Sequence, residues 1–362
     1  MYIMKITLLG HTTPYSGIAG ASIGISMFIY NLAVELIKKN HDVELFIRDD
    51  YKPKESWIKT VYSPKISWVL YPTFLGRKIA GASSDVYQSD YVTTGVPLIS
   101  KNKRPNVVSI HDVIPFTYDK AALSNMDKIR IMWYMYNFKK IEKADAIVVL
   151  SEYSKREALK YTEIPEEKLH VVYCGVDFTK NFPLKKRLHR KIRIGYLGGL
   201  DGRKNVGLLV NSFKKIAESR DDVELHVGGM GENLEKFRRM RIRNANFYGK
   251  IEESRKNAFL NSLDIFVFPT LMEGFGLPPI EAMACGVPVV ASNTTTMPEL
   301  IGDSGMLVKP TEEEMIKGLS RLIESESLRK KLSQKSLKRA REFTWERCAN
   351  QTLKVYDEVC RR

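Results

Sequence analysis

The chain has 362 residues, 44% of them hydrophobic and 27% charged, a balance that excludes a disordered or fibrous protein and a length that points to two domains. A formal charge of +15 favours anionic partners, whether nucleic acid, acidic lipid or nucleotide phosphate, without choosing among them. Cys174, Cys285, Cys348 and Cys360 form no CxxC pair, so neither zinc nor a disulfide framework is suggested. No apolar run reaches the ~18 to 20 residues of a membrane span, and the opening MYIMKITLLG is too short and strand-like for a signal peptide, so a cytoplasmic location is the default expectation.

In chain order, MKITLLG (Met4 to Gly10) reads as an apolar strand, followed by a Gly/Ser/Thr-rich loop with Gly17, Gly20 and Gly24 and a helix over Ile25 to Lys39. Strand-like runs follow at Asp42 to Arg48, Asn106 to Ile110 and Asp145 to Leu150. Between the last two, MDKIRIMWYMYNFKKIEKA (Met126 to Ala144) mixes Lys and Arg with Trp133, Tyr134, Tyr136 and Phe138, as an interfacial helix or a half-buried surface helix would. The stretch Lys180 to Arg193 carries seven Lys or Arg and no acid, the pattern of a solvated linker running into a new strand. Beyond it the plan restarts: KIRIGYLGG is a strand, LDGRKN a polar turn and VGLLVNSFKKIAES a helix. More strands follow at Asp222 to Gly229, Ala245 to Lys250, Leu263 to Thr270 and Gly286 to Ser292. Strands alternating with helices predict α/β architecture with a parallel sheet in each half and ligand sites at the carboxyl ends of the strands. Two Rossmann-like domains facing each other across a cleft are therefore expected. Neither half has GxGxxG at its first turn, which argues against a dinucleotide-dependent dehydrogenase.

The segment EGFGLPPIEAMACG (Glu273 to Gly286) follows a buried strand with a glycine turn and the start of a helix, predicted over Ile280 to Cys285 with Pro278 and Pro279 at its head. Such a helix start presents unpaired N–H groups that receive a phosphate well. Glu281 is read in its first turn, where a carboxylate also simply complements the helix dipole. Arg203 and Lys204, in the turn after the strand at Leu197, offer a bidentate fork and a point charge to the same anion. A carboxylate is repelled by phosphate, so Glu281 is expected to turn toward ribose hydroxyls. The chain contains no Asp-x-Asp pair and no His/Asp/Glu cluster with metal-ligand spacing; cations and helix N-termini are expected to carry a leaving diphosphate without metal, and no cofactor is expected. His111 and Asp112, just after a strand, are candidates to meet a sugar hydroxyl or a reacting group, with a structural histidine as the alternative.

The chain resembles the family-4 retaining glycosyltransferases of GT-B fold, mannosyltransferase-like members especially. The resemblance rests on YNLAVEL, SIHDVIPF, VVLSEYSKREAL, HVVYCGVD, YLGGLDGRKN, FPTLMEGFGLPPIEAMACGVPVVAS and FTWERCANQTLKVYDEV, which span nearly the whole chain. It implies transfer of a hexose of mannose or glucose type from a nucleoside-diphosphate sugar to a glycan or lipid-linked acceptor. It also implies an acceptor-side domain over 1–179, a basic linker over 180–191, a nucleotide-sugar domain over 192–342 and a terminal helix over 343–362 crossing back to the first domain. By the same resemblance Glu273 and the backbone of Gly274, Phe275, Gly276 and Leu277 meet the donor sugar and phosphate, Glu281 the ribose, Arg203 and Lys204 the diphosphate. His111 approaches the sugar, Lys250 and Ile251 line the base, and Gly24 belongs to a loop at the phosphate or acceptor. The loop SGIAGASIG lacks the adjacent glycine pair of many relatives. A nucleotide-sugar epimerase of the same fold and a non-catalytic membrane or sugar-nucleotide-binding protein are the competing readings; peripheral contact with an anionic membrane is expected, nucleic-acid binding is not.

Overall fold

In a computed structural model of the chain the described residues are 2–11, 23–48, 55–61, 71–117, 125–185 and 190–361. They form two compact units, one comprising the chain up to Cys174 together with Trp345 onward, the other Gly175–Thr344. The division thus falls at Cys174, within the stretch read as the end of the first domain. The loop positions Gly17 and Gly20 lie outside the described residues.

The first unit is built on seven strands: β1 (Lys5–Leu9), β2 (Asp42–Arg48), β3 (Ile58–Val61), β4 (Val86–Ser89), β5 (Asn106–Ile110), β6 (Ala146–Val149) and β7 (Leu169–Val171). They lie in the order β3-β2-β1-β4-β5-β6-β7, and every neighbouring pair is parallel. β4, β5 and β6 are buried throughout, as strands covered on both faces must be. The order reverses between β1 and β4, in register from Ile6↔Val86 to Leu9↔Ser89. One side chain cluster packs Val108, Ile110, Ile147 and Val149 of β5 and β6 against Tyr134, Phe138 and Ile141 of the helix Asn125–Ile141. The helix Trp345–Arg361 adds to this unit by lying on the helix Ile23–Lys38, and its buried Tyr356 donates its hydroxyl to Gln88 Oε1 of β4.

The second unit holds β8 (Ile192–Leu197), β9 (Val223–Gly228), β10 (Ala245–Gly249), β11 (Ile265–Phe268), β12 (Val289–Ser292) and β13 (Met306–Val308). The order β10-β9-β8-β11-β12-β13 is again all parallel and reverses between β8 and β11. The fold class read from the sequence, α/β with a parallel sheet in each half, is what the structure shows. The basic stretch is less free than a solvated linker: Phe182 N–H donates to Asn257 Oδ1 at 3.2 Å and Leu184 N–H to Asn261 Oδ1 at 2.7 Å, pinning its start to the helix Glu253–Asn261.

Candidate donor site at the edge of the second sheet

In open parallel sheets a ligand binds outside the carboxyl ends of the strands where the order reverses. In the second unit those ends release two loops, Gly198–Asn205 after β8 and Pro269–Gly276 after β11, and the loops are tied together. Leu271 N–H donates to Arg203 O at 2.9 Å, and the Thr270 hydroxyl is held between Arg203 O and Met272 O. Arg203 and Lys204 sit in a short 3-10 turn (Gly202–Lys204) that Asn205 closes in the left-handed conformation, φ 52°.

This brace converges three charged groups. Lys204 Nζ lies 2.5 Å from Glu273 Oε2, and Arg203 Nη1 lies 3.4 Å from the same oxygen and 3.3 Å from Met272 O. Lys204 is buried, its ammonium 5.4 Å from the Phe268 ring centroid. Glu273, read from sequence as an arm toward sugar hydroxyls, is also the counter-charge that lets Lys204 be buried. Asp201, which the sequence reading passed over, stands 3.3 Å from Arg203 Nε.

The glycine turn then hands over to the helix Leu277–Ala284, which begins three residues earlier than predicted because Pro278 and Pro279 lie inside its first turn. Gly276 has φ 112°, and a Cβ there would stand 2.6 Å from Met297 Cε, so both conformation and space call for glycine. Phe275 points into the core against Phe343, and its carbonyl accepts the Thr296 hydroxyl at 2.6 Å, which fixes the turn.

Glu281 is the fifth residue of that helix, not part of its first turn as the sequence reading had it. It is buried, and its Oε1 meets Lys256 Nζ at 2.7 Å; Lys256 also bridges Glu253 at 2.9 Å. Burial alone would lower the Lys256 ammonium, but the Glu281 and Glu253 carboxylates outweigh it and hold the group above the ordinary lysine range. Burial, with Glu281 beside it, pushes the Cys285 thiol up to about 12. No sequence motif announced Lys256, because the pair joins residues 25 positions apart on two different helices.

Lys250 is exposed and pairs with Glu252 at 3.3 Å, whereas Ile251 lies under β9, where a Cβ on Gly228 would stand 2.6 Å from its Cγ1. Both follow the carboxyl end of β10, and Gly249 O accepts the Gly229 N–H at 2.7 Å. Six of the sequence-predicted residues, Arg203, Lys204, Glu273, Gly274, Phe275 and Gly276, are thus gathered on two adjoining loops of one sheet edge, and Leu277 opens the helix that follows.

In the first unit, Gly24 is exposed in the opening turn of the helix Ile23–Lys38, with nothing within 4 Å of an added Cβ. His111 follows β5 and is buried, edge-on to Phe28 with centroids 5.4 Å apart. Burial brings its pKa down to about 4, despite the Asp90 carboxylate nearby, so the ring is neutral at pH 7. Asp112 spends its Oδ1 on the Ile114 N–H at 3.2 Å.

Two doubly wound parallel sheets and a cation-bearing loop pair at a strand-order reversal define a GT-B glycosyltransferase. Glycosyltransferase Family 4 matches residues 23–180 and Glycosyl transferases group 1 matches residues 177–339, and the chain belongs to this family as a mannosyltransferase-like member. It is similar to O-antigen chain mannosyltransferase B of Escherichia coli, 27% identical with 69% of each chain covered. It is also similar to the MMP alpha-(1->4)-mannosyltransferase of Mycolicibacterium hassiacum, 28% identical over 94% of this chain and 95% of that one. Among solved structures, sucrose-phosphate synthase from Thermosynechococcus elongatus superposes with a TM-score of 0.80 at 18% identity, covering 98% of each chain. Anabaena Alr3699/HepE, solved with UDP and glucose, gives 0.75 at 16% identity, covering 98% of this chain and 100% of its own.

Proposed function

We propose that the chain moves a hexose, of mannose or glucose type, from a nucleoside-diphosphate sugar to a hydroxyl of a glycan or lipid-linked acceptor, with retention of anomeric configuration and without a metal ion. The observation that carries the donor assignment is the meeting of Arg203, Lys204 and Glu273 beside the amino end of the helix Leu277–Ala284. The mannosyltransferase relatives support the sugar class, and the UDP and glucose of the Anabaena structure support a nucleotide-linked donor.

In this reading the acceptor oxygen bonds to the anomeric carbon on the face from which the phosphate departs, the bond from that carbon to the phosphate oxygen breaks, and the acceptor proton passes to the leaving phosphate. Charge developing on the diphosphate is met by Arg203, Lys204 and the N–H groups at the helix start. Glu273 then shares its carboxylate between Lys204 and hydroxyls of the transferred sugar. Glu281, with one oxygen on Lys256, still has lone pairs for ribose hydroxyls, since a carboxylate offers about four acceptor sites. Lys250 and Ile251 flank the base, and neutral His111 meets a sugar hydroxyl.

Calorimetric titration with UDP-, GDP-, ADP- and CMP-sugars tests the donor assignment. Wild type is expected to bind one of them, and Arg203→Ala with Lys204→Ala to weaken that binding at least ~100-fold, since each charge-assisted hydrogen bond contributes about 1.5–3 kcal/mol. Wild-type affinity in the double variant overturns it. Adding EDTA is expected to leave transfer unchanged.

One observation favours a membrane-surface acceptor. On the helix Asn125–Ile141, Ile129, Met132 and Tyr136 are 57%, 67% and 63% exposed, at helical spacing, while Tyr134, Phe138 and Ile141 face the core. Lys128, Lys139 and Lys143 are exposed on or just beyond the same helix, and Lys140 Nζ sits 4.1 Å from the Tyr136 ring centroid. No helix among the described residues is long and apolar enough to cross a membrane. This helix instead supports peripheral contact with an anionic, cytoplasmic-facing lipid surface.

A further inference from the structure

Glu281 stands on the helix Leu277–Ala284, and Lys256 on the helix Glu253–Asn261, which begins just after Lys250 and Ile251 at the carboxyl end of β10. Side chains on an α-helix lean toward its amino end, so the Glu281 carboxylate is carried back toward the turn where the diphosphate is expected. Both charged side chains are nearly enclosed, Lys256 12% and Glu281 11% exposed, and Nζ stands 2.7 Å from Oε1. Glu253, 44% exposed, meets the same ammonium at 2.9 Å. Oε2 of Glu281 accepts from none of the described residues. One carboxylate oxygen is committed to Lys256 and the other is left over.

Holding the two helices together does not require this pair. Asn257 Oδ1 accepts the Phe182 N–H at 3.2 Å and the Cys285 thiol at 3.2 Å, and Asn261 Nδ2 donates to Asn257 O at 2.8 Å and Phe182 O at 3.0 Å. Neutral hydrogen bonds therefore already tie the helix Glu253–Asn261 to the end of the helix Leu277–Ala284. Taking two charges out of water is costly, and apolar residues of similar volume often replace such a pair without loss of stability. An aimed carboxylate does need it. The side chain of a glutamate turns about three bonds, and an ammonium fixed on Oε1 decides which oxygen remains for a ligand. The same ammonium offsets a negative charge that would otherwise oppose a diphosphate at the helix start.

We propose that Lys256 is a positioning residue for the donor: by holding Oε1 of Glu281 it aims Oε2 at a ribose hydroxyl, and so makes the site select ribonucleotides over deoxyribonucleotides. This rests on the donor reading above. The test is calorimetric titration of the full chain with whichever of UDP, GDP, ADP and CDP wild type binds most tightly, and with its 2′-deoxy and 3′-deoxy forms. Wild type is expected to bind at least one deoxy form about 30-fold more weakly, the worth of a hydrogen bond to a charged group. In Lys256→Met that discrimination is expected to shrink to about threefold or less, because Glu281 is no longer aimed. Methionine strands a buried carboxylate, so a second comparison sets Glu281→Gln against Lys256→Met with Glu281→Gln, in which both charges are gone. Once Glu281 is neutral, removing Lys256 is expected to change nucleotide affinity by less than about twofold, since a residue that acts through another contributes nothing after its partner is lost. Undiminished discrimination in Lys256→Met, or a loss in the double variant as large as Lys256→Met causes alone, overturns the role of Lys256 and leaves the donor reading intact. Equal wild-type affinity for ribose and deoxyribose forms overturns it too. Wild type that binds none of the four nucleotides overturns the donor reading itself.

Discussion

His111 carries a measurable signature of its burial. Histidine in the unfolded chain titrates near 6.5, and in the folded chain desolvation brings His111 to about 4. Between those values the unfolded state binds more protons, so the folded state loses stability as pH falls through that window. The melting temperature of wild type is expected to drop more steeply from pH 7 to pH 4.5 than that of His111→Gln, which has nothing to protonate there; parallel curves in scanning calorimetry would sink this account. His41 is lowered by burial too, but it is common to both proteins. The sequence marked His111 as a candidate because it follows an apolar strand. It could not mark the pairing of His11 with Asp90, 79 positions apart and joined only by the neighbouring of β1 and β4. Glu281 teaches the same lesson: the pattern showed an acid at a helix start, whereas its partner Lys256 comes from a different helix.

Among the elements, those with continuous apolar runs were legible. The strand within LDIFVFPT is β11, buried throughout, and VGLLVNSFKKIAES is the helix Val206–Ser219, residue for residue. β4 was not, because VYQS places Gln88 and Ser89 in the interior, where Gln88 is satisfied by Ser109 at 3.0 Å and by Tyr356. A polar residue that finds its partners only after folding carries no periodic signal. The helix Asn125–Ile141 was legible only in part: its mixture of aromatic and basic residues resolved into a core face and an outer row once the fold was known. If that row meets lipid, vesicles containing anionic lipid should co-float with the protein at low salt and release it as salt rises, because the lysine contribution is screened. Met132→Glu with Tyr136→Glu should abolish flotation while leaving the melting temperature within about a degree, since both side chains are solvent-facing. Equal flotation of variant and wild type would exclude this helix as the contact.

The whole molecule is held by a chain that leaves its first unit at Cys174 and returns to it at Trp345. The returning helix buries Trp345, Cys348, Ala349, Thr352, Leu353, Val355, Tyr356 and Val359. Full burial of each large apolar side chain contributes about 1.5–3 kcal/mol, so the helix supplies stabilisation comparable to the ~5–15 kcal/mol net stability of a typical protein. Truncation before Trp345 is expected to leave the Gly175–Thr344 unit folded and the first unit without a cooperative transition, giving one calorimetric transition where the full chain gives two or a merged one. A truncated chain that melts like wild type would show the helix to be dispensable. The alternation of strands and helices made the parallel character of both sheets readable in advance, though not every strand. The contact boundary was less so, since Val176, just past it, donates its N–H to Phe343 O and bridges Thr344, both far along the chain.

The same return path sets an order on synthesis. Everything that builds the second unit is contiguous, so it can fold as soon as Thr344 has left the ribosome. The first unit, although its strands emerge earliest, must wait for the final seventeen-residue helix, with Gln88 of β4 awaiting the Tyr356 hydroxyl. The half of the protein made first is the half finished last, and for the duration of nearly two hundred added residues its apolar flank lacks the helix that will cover it.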